Sequence, residues 1–141
     1  MKIFTTERIA RHLDSEQLSR LVIEFKKYQN SSEAGEYFGR DASLDRPQSA
    51  KFAELQHIHT HPNFLTGLPV NMQTNQLRTW RIHGRQYDKR SDSWLIYCHG
   101  VRMQDNILLL AFLKDDAHSR ANQVSFIGQL ADEAEAWRAK Y

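Results

Sequence analysis

The sequence predicts an α+β fold in which N-terminal helices pack on an antiparallel sheet of about four strands and a C-terminal helix covers the rest of the sheet. Two strand-forming runs, residues 94–100 and 107–113, are joined by a short polar stretch typical of a hairpin loop. Apolar residues at helical spacing occur both before and after these runs. Because 141 residues is a usual size for one domain, we expect a single domain over residues 1–141.

The N-terminal region predicts a short strand at residues 2–5 followed by two helices. Thr6 is expected to cap a brief first helix. Asp14 and Gln17 have the spacing of a capping box and predict the start of a longer helix. The apolar face of that helix consists of Leu18, Leu21, Val22, Phe25 and Tyr28. The helix should end near residues 30–32.

The middle of the chain predicts a turn and then a strand. Gly39, between Phe38 and Arg40, suggests a turn that buries the phenyl ring and exposes the guanidinium. Arg40 could instead simply pair with its neighbour Asp41. Residues 49–60 read as a strand that ends before Pro62.

The two runs at 94–100 and 107–113 should be antiparallel neighbours. The second run has no polar residue over seven positions, so we expect both of its faces to be covered and place it at the centre of the sheet. Residues 122–141 have apolar side chains spaced by three and four, which predicts the closing helix.

Charge, cysteine content and the N-terminal sequence indicate which classes of protein to expect. The net charge of +2 does not by itself demand a nucleic-acid partner. Cys98 is the single cysteine and lies in an apolar run, so no disulfide framework is expected. The N-terminus turns polar within a few residues, which predicts neither a signal peptide nor a spanning helix. We expect a cytoplasmic protein with no membrane partner.

Residues 78–90 carry a local surplus of four positive charges interleaved with aromatic side chains. This mixture suits phosphates and stacked bases, although a solvated polar loop is an equal alternative. The candidate RNA-binding residues are Arg78, Trp80, His83, Arg85, Lys89 and Arg90, together with Arg40.

Three histidines alternate along the predicted strand at positions 57, 59 and 61, and strand geometry should direct them to one face. Two such imidazoles could bind a metal ion if His61, Asp116 or His118 supplied a third ligand. The sequence lacks a cysteine pair or a His-Glu-x-x-His motif, and we assign no metal ligand and no cofactor.

A second hypothesis is RNA cleavage without a metal. The 2′-hydroxyl of RNA can attack its own phosphodiester when a base removes its proton, a cation stabilises the transition state and an acid protonates the leaving oxygen. The chain offers imidazoles at His57, His59, His83, His99 and His118, cations at Arg78, Arg81 and Lys114, and a carboxylate at Asp116.

Four motifs resemble the YafO family of bacterial type II toxins. They are Phe38-Gly39-Arg40-Asp41-Ala42, His57-Ile58-His59, Leu95-Ile96-Tyr97-Cys98-His99-Gly100, and Leu113-Lys114 with His118 four residues on. The resemblance implies an mRNA interferase with a RelE-like fold. Such a toxin is an endoribonuclease that cuts translated mRNA on the ribosome, inhibits translation and is held inactive by a cognate antitoxin.

Transferred to this chain, the resemblance indicates the candidate site residues Arg40, Asp41, His57, His59, Tyr97, Lys114, Asp116 and His118. We expect His59 to act as general base and His118 as general acid. Arg81 or Lys114 would stabilise the transition state. The remaining orienting roles fall to His57, Asp116 and Tyr97. Trp94 stands where RelE-type enzymes often carry an arginine.

The alternative is a RelE/ParE-like toxin that binds a protein or ribosomal target, such as gyrase or the ribosome, without cutting RNA. In that case the histidines would be incidental, and residues 78–90 would make the contact.

Overall fold

The computed structural model describes residues 1–31 and 33–141. Its strands are β1 (Lys2–Thr5), β2 (Phe38–Ser43), β3 (Gln56–Thr60), β4 (Trp94–His99) and β5 (Asn106–Leu113). Its helices are α1 (Glu7–His12), α2 (Ser15–Ser31), α3 (Gln48–Phe52), α4 (Ala117–Ala121) and α5 (Val124–Arg138), with a 3₁₀ turn at Gln86–Asp88. None of the helices in these two ranges is long and apolar enough to cross a membrane.

The N-terminal predictions are confirmed. The Thr6 hydroxyl accepts a hydrogen bond from the Ile9 amide at 3.3 Å and so caps α1. The predicted capping box starts α2: the Gln17 amide donates to Asp14 at 2.8 Å, and the Asp14 amide donates to the Gln17 side chain at 3.1 Å. Ser32, the last residue of the predicted helix end, lies outside the described residues.

The sheet has five strands in the order β1-β5-β4-β3-β2. β4 and β5 are antiparallel neighbours, as predicted, and β5 is buried at all of its positions. The middle strand, however, is β4, because β1 adds to the outer side of β5 as its parallel neighbour. The predicted antiparallel sheet is therefore mixed at this edge.

Two predictions between α2 and β4 are wrong in detail. Residues 38–43 form β2, which pairs with β3, instead of the predicted turn, and a bulge lies between Phe38 and Asp41. Residues 49–52, predicted as the start of a strand, belong to α3 because Ala50 and Ala53 are buried at helical spacing.

The helices cover the sheet on both faces. α1 and α2 contribute Ile9, Leu21 and Phe25 to a core shared with the odd-numbered positions of β4. α5 contributes Ile127 and Leu130 to a second core that holds the even-numbered positions of β4. The closing helix is thus confirmed, and the short helix α4 before it delivers His118 to the second face.

The long connection between β3 and β4 returns across the edge of β2. The Arg40 amide donates to the Lys89 carbonyl at 2.9 Å, and a Cβ on Gly39 would lie 2.3 Å from that same oxygen. Only glycine permits this approach without movement of the backbone. The connection therefore lies directly beside the strand that carries Arg40.

Candidate active site

Three imidazoles and an indole form a cluster on the α5 face of the sheet. His57 and His59 lie two positions apart on β3, so strand alternation places both on the face of their β4 partners Ile96 and Trp94. The Trp94 ring centre is 4.5 Å from that of His57 and 4.7 Å from that of His118. His59 and His118 have ring centres 6.3 Å apart. Residues distant in sequence therefore share one surface.

His118 is oriented by Asp92, a residue that sequence reasoning missed. The Nδ1 atom of His118 lies 2.9 Å from Asp92 Oδ1, which also accepts the His118 amide at 2.7 Å. Nδ1 therefore donates to the carboxylate, which leaves Nε2 for proton exchange. The His118 side chain is 67% exposed and so is open to a substrate.

His59 is buried and neutral. Burial is the largest cause, and the nearby imidazoles of His57 and His118 and the Arg40 guanidinium also disfavour a proton on His59, so its pKa is lowered to about 3. Its Nδ1 accepts the Ser91 amide at 2.9 Å, so the proton of the neutral ring resides on Nε2. Neither nitrogen is then available to take a proton, which argues against the predicted role as general base. The ring of His59 instead packs against His57 and Trp94.

His57 is the better candidate for the base. It is half-buried, and burial lowers its pKa below the ordinary value, so it is unprotonated near neutral pH. Its Nδ1 is buried and makes no hydrogen bond among the described residues. The other ring nitrogen, Nε2, is therefore the atom that could accept a proton from a substrate hydroxyl.

Arg40 is the cation beside the histidines. It lies in the bulge of β2 and comes directly before Asp41 and Ala42, which pair with Ile58 and His57 of β3. Its positive charge lowers the pKa of both histidines on β3, an effect that the predicted cations Arg81 and Lys114 do not exert. The structure places these two predicted cations on exposed positions of the 61–93 connection and of the segment after β5.

The other two predicted orienting residues lie elsewhere. The carboxylate of Asp116 is 3.9 Å from the Arg120 guanidinium, and Asp92 takes the place predicted for it beside His118. Tyr97 is buried on the α2 face, where its hydroxyl donates to Asp41 at 2.7 Å. Burial beside Asp41 raises the pKa of Tyr97. The one signal for Asp92 in the sequence is the Ser-Asp-Ser stretch directly before β4.

His61 does not join the cluster, although the predicted alternation placed it there. It follows the end of β3, its Nδ1 accepts the Asn63 amide at 3.0 Å, and its ring packs against Trp80. A metal site would need a third ligand, and no group of three or more His, Cys, Asp or Glu residues within residues 1–31 and 33–141 could hold a metal ion.

The predicted RNA-binding residues of the 78–90 segment differ in exposure. Trp80 is buried, packs close to Gly39 and cannot stack on a base. Arg78, His83, Arg85 and Arg90 are exposed, and Lys89 is half-buried. Arg85 pairs with Asp88 at 3.2 Å. Tyr87, which was not among the predicted site residues, is exposed and contacts Arg40.

Comparison with known proteins agrees with the resemblance found in the motifs. A family model described as "Toxin YafO, type II toxin-antitoxin system" matches residues 26–139. The "mRNA interferase toxin YafO" of Escherichia coli (strain K12) is 28% identical over 145 residues, and the alignment covers 100% of both chains. No solved structure matches the chain. Because the family model matches most of its length, the chain belongs to the YafO family of type II toxin-antitoxin toxins.

Proposed function

We propose that this toxin is an mRNA endoribonuclease that cuts translated messages without a metal ion and thereby inhibits translation. Membership of a type II toxin-antitoxin family implies an antitoxin protein as partner. The name of the Escherichia coli relative, mRNA interferase, supports RNA as the substrate. The ribosome as the place of action and the cytoplasm as the location belong to the same proposal.

The observation that carries the proposal is the Asp92–His118 pair beside His57 and Arg40. A histidine held by a carboxylate at Nδ1 and exposed at its other edge is equipped to exchange a proton at Nε2. A neutral imidazole on β3 and a guanidinium on the neighbouring strand β2 act on each other electrostatically. These groups supply the proton transfers and the positive charge that phosphodiester cleavage requires.

In the proposed mechanism, His57 accepts the proton of the 2′-hydroxyl as that oxygen attacks the neighbouring phosphorus. Arg40 stabilises the negative charge that develops on the phosphorane oxygens. His118 donates a proton from Nε2 to the departing 5′-oxygen while Asp92 keeps its Nδ1 proton in place. The products are a 2′,3′-cyclic phosphate and a free 5′-hydroxyl, so atoms and charges balance.

The decisive experiment is primer extension on mRNA from cells that express the wild type or His118→Ala. We expect new 5′ ends within coding regions for the wild type and at least a hundredfold fewer for the variant, the usual size of an acid–base contribution being about 10²–10⁴. Co-purification with the antitoxin shows whether the variant is folded. Intact messages in growth-arrested wild-type cells would favour a toxin that binds its target without cutting.

A further inference from the structure

Tyr87 contacts Arg40, the cation whose charge acts on the histidine cluster. The guanidinium carbon of Arg40 is 3.9 Å from the centre of the Tyr87 ring, and Arg40 Nε donates to the Tyr87 carbonyl at 2.9 Å. The charge of Arg40 also acts on His57 and His59. A single side chain therefore connects the Tyr87 ring to the proposed site of chemistry.

The Tyr87 backbone is anchored on both sides. Gln86 donates to the Tyr28 hydroxyl and to the Gly39 carbonyl, each at 2.9 Å, and the Lys89 carbonyl accepts the Arg40 amide. Tyr87 itself is nevertheless 62% exposed, although Arg40 covers one face of its ring. The other face of the Tyr87 ring is therefore open to solvent. Because the backbone of Tyr87 is already held by hydrogen bonds, a ligand that binds this face does not have to order it.

The surroundings fit a nucleic acid. The exposed cations Arg78, Arg85 and Arg90 lie on the same connection as Tyr87. Bases of single-stranded RNA stack on aromatic rings and on guanidinium planes, and positive charge nearby attracts the phosphates. Trp80, the other large aromatic residue of this segment, is buried and cannot serve. The exposed rings of this segment are therefore Tyr87 and the imidazole of His83, and Tyr87 is in contact with Arg40.

The residues of the site form a row across the sheet. The row begins at β4 with Trp94 and His118, continues with His57 and His59 on β3 and Arg40 on β2, and ends with Tyr87 beyond β2. Neighbouring strands are about 4.8 Å apart, so this row spans more than about 10 Å across the sheet. That length accommodates a nucleotide beside the one whose phosphate is cut.

We propose that Tyr87 and Arg40 form a nucleotide subsite, in which a base next to the scissile phosphate stacks on the open face of Tyr87. The subsite rests on RNA being the substrate of the proposed function. By holding one base, the subsite fixes which phosphate of the RNA lies at the histidine cluster. It thereby contributes to the choice of cleavage position.

The test is equilibrium binding of a 2′-O-methylated single-stranded RNA of about ten nucleotides to the toxin freed of its antitoxin. This probe lacks the nucleophilic hydroxyl and cannot be cut. A set of probes, each lacking one base, is compared on the wild type and on Tyr87→Ala. We expect one missing base to weaken wild-type binding about tenfold, the order of magnitude for one stacked base. Tyr87→Ala should bind the intact probe about tenfold more weakly and be insensitive to that same missing base.

Two matched variants separate stacking from other effects. Tyr87→Phe keeps the ring and should bind as the wild type does, which excludes a role of the hydroxyl. Phe52→Ala removes an aromatic side chain that is 69% exposed on α3 and should leave binding unchanged.

The proposal is overturned if the wild type shows no saturable binding or if Tyr87→Ala binds with wild-type affinity. It is also overturned if the loss of binding free energy from Tyr87→Ala and the loss from each missing base simply add in every combination. The assay requires no cleavage, so coupling between Tyr87 and one base would stand even if messages in cells remained intact. Cut messages without such coupling would retain the nuclease and remove the subsite.

Discussion

Asp92 holds His118 at two points: its Oδ1 lies 2.9 Å from the imidazole Nδ1 and 2.7 Å from the His118 amide nitrogen. The Asp92 carbonyl also accepts the Ala117 amide at 3.0 Å, so the first turn of α4 is attached to the segment directly before β4. The ring of His118 consequently has a defined position against Trp94. This pair is where the proposed acid can be tested most directly.

Asp92→Asn should slow cleavage about 10- to 100-fold while RNA binding changes little. The amide can still accept the His118 backbone hydrogen bond, but it lacks the negative charge that orients the Nδ1 proton. Single-turnover cleavage on programmed ribosomes measures the rate. Asp116→Asn, at the carboxylate first predicted from sequence, should stay close to the wild-type rate. The reverse ranking of the two variants would contradict the assignment of Asp92.

Stability should fall between pH 7.5 and pH 5, in part because of His59. Its pKa is about 3 in the folded protein and about 6.5 when unfolded, so the unfolded chain binds more protons in that window. Stability therefore rises with pH between these two values. For His59 the change from pH 5 to 7.5 is roughly 2 kcal/mol in the free energy of unfolding.

His59→Asn should reduce this pH dependence. The asparagine oxygen can accept the Ser91 amide in place of Nδ1, but the side chain does not titrate. Urea unfolding at the two pH values is the measurement. Burial also lowers the pKa of His57 and His61, so the variant should retain part of the dependence. An unchanged pH dependence in His59→Asn would show that His59 is not the buried neutral group described.

Gly39→Ala should destabilise the protein by about 1–3 kcal/mol and weaken cleavage. The new Cβ would lie 2.3 Å from the Lys89 carbonyl oxygen, and the connection that carries Tyr87 would have to move away from Arg40. Urea unfolding gives the free energy. Gly128→Ala on α5 is the matched control, because nothing lies within 4 Å of its new Cβ. A helical Gly-to-Ala change there should be neutral or stabilise by up to about 1 kcal/mol.

Tyr97→Phe should lower the free energy of unfolding by about 1–3 kcal/mol without slowing cleavage by the folded protein. The change removes the hydroxyl that donates to Asp41, and Tyr28 remains as the second donor at 2.7 Å. Tyr37→Phe, which removes a hydroxyl from an exposed contact with Arg20, should change stability by less than about 0.5 kcal/mol. A large loss of cleavage rate in folded Tyr97→Phe would restore the catalytic role predicted from sequence.

The elements that could be predicted from sequence are those specified by neighbours along the chain. The Asp14–Gln17 capping box and the Thr6 cap each join residues three positions apart. The apolar runs at β4 and β5 indicated buried, adjacent strands. Secondary structure was predicted wrongly at β2 and α3, where pairing with β3 and burial against α5 outweighed the local glycine and strand patterns. The position of β5 was also predicted wrongly, because the pairing of β1 with its outer side is a contact between distant parts of the chain.

The amino-acid sequence alone determined the family, the helix starts, the central hairpin and the inventory of histidines on β3. Only the tertiary structure decided which carboxylate holds which imidazole and which cation lies beside them. Asp92 and His118 are 26 positions apart, Ser91 and His59 are 32 apart, and Arg40 and Tyr87 are 47 apart. Pairs so distant meet because strands and helices pack around shared cores, and no local spacing rule specifies that packing.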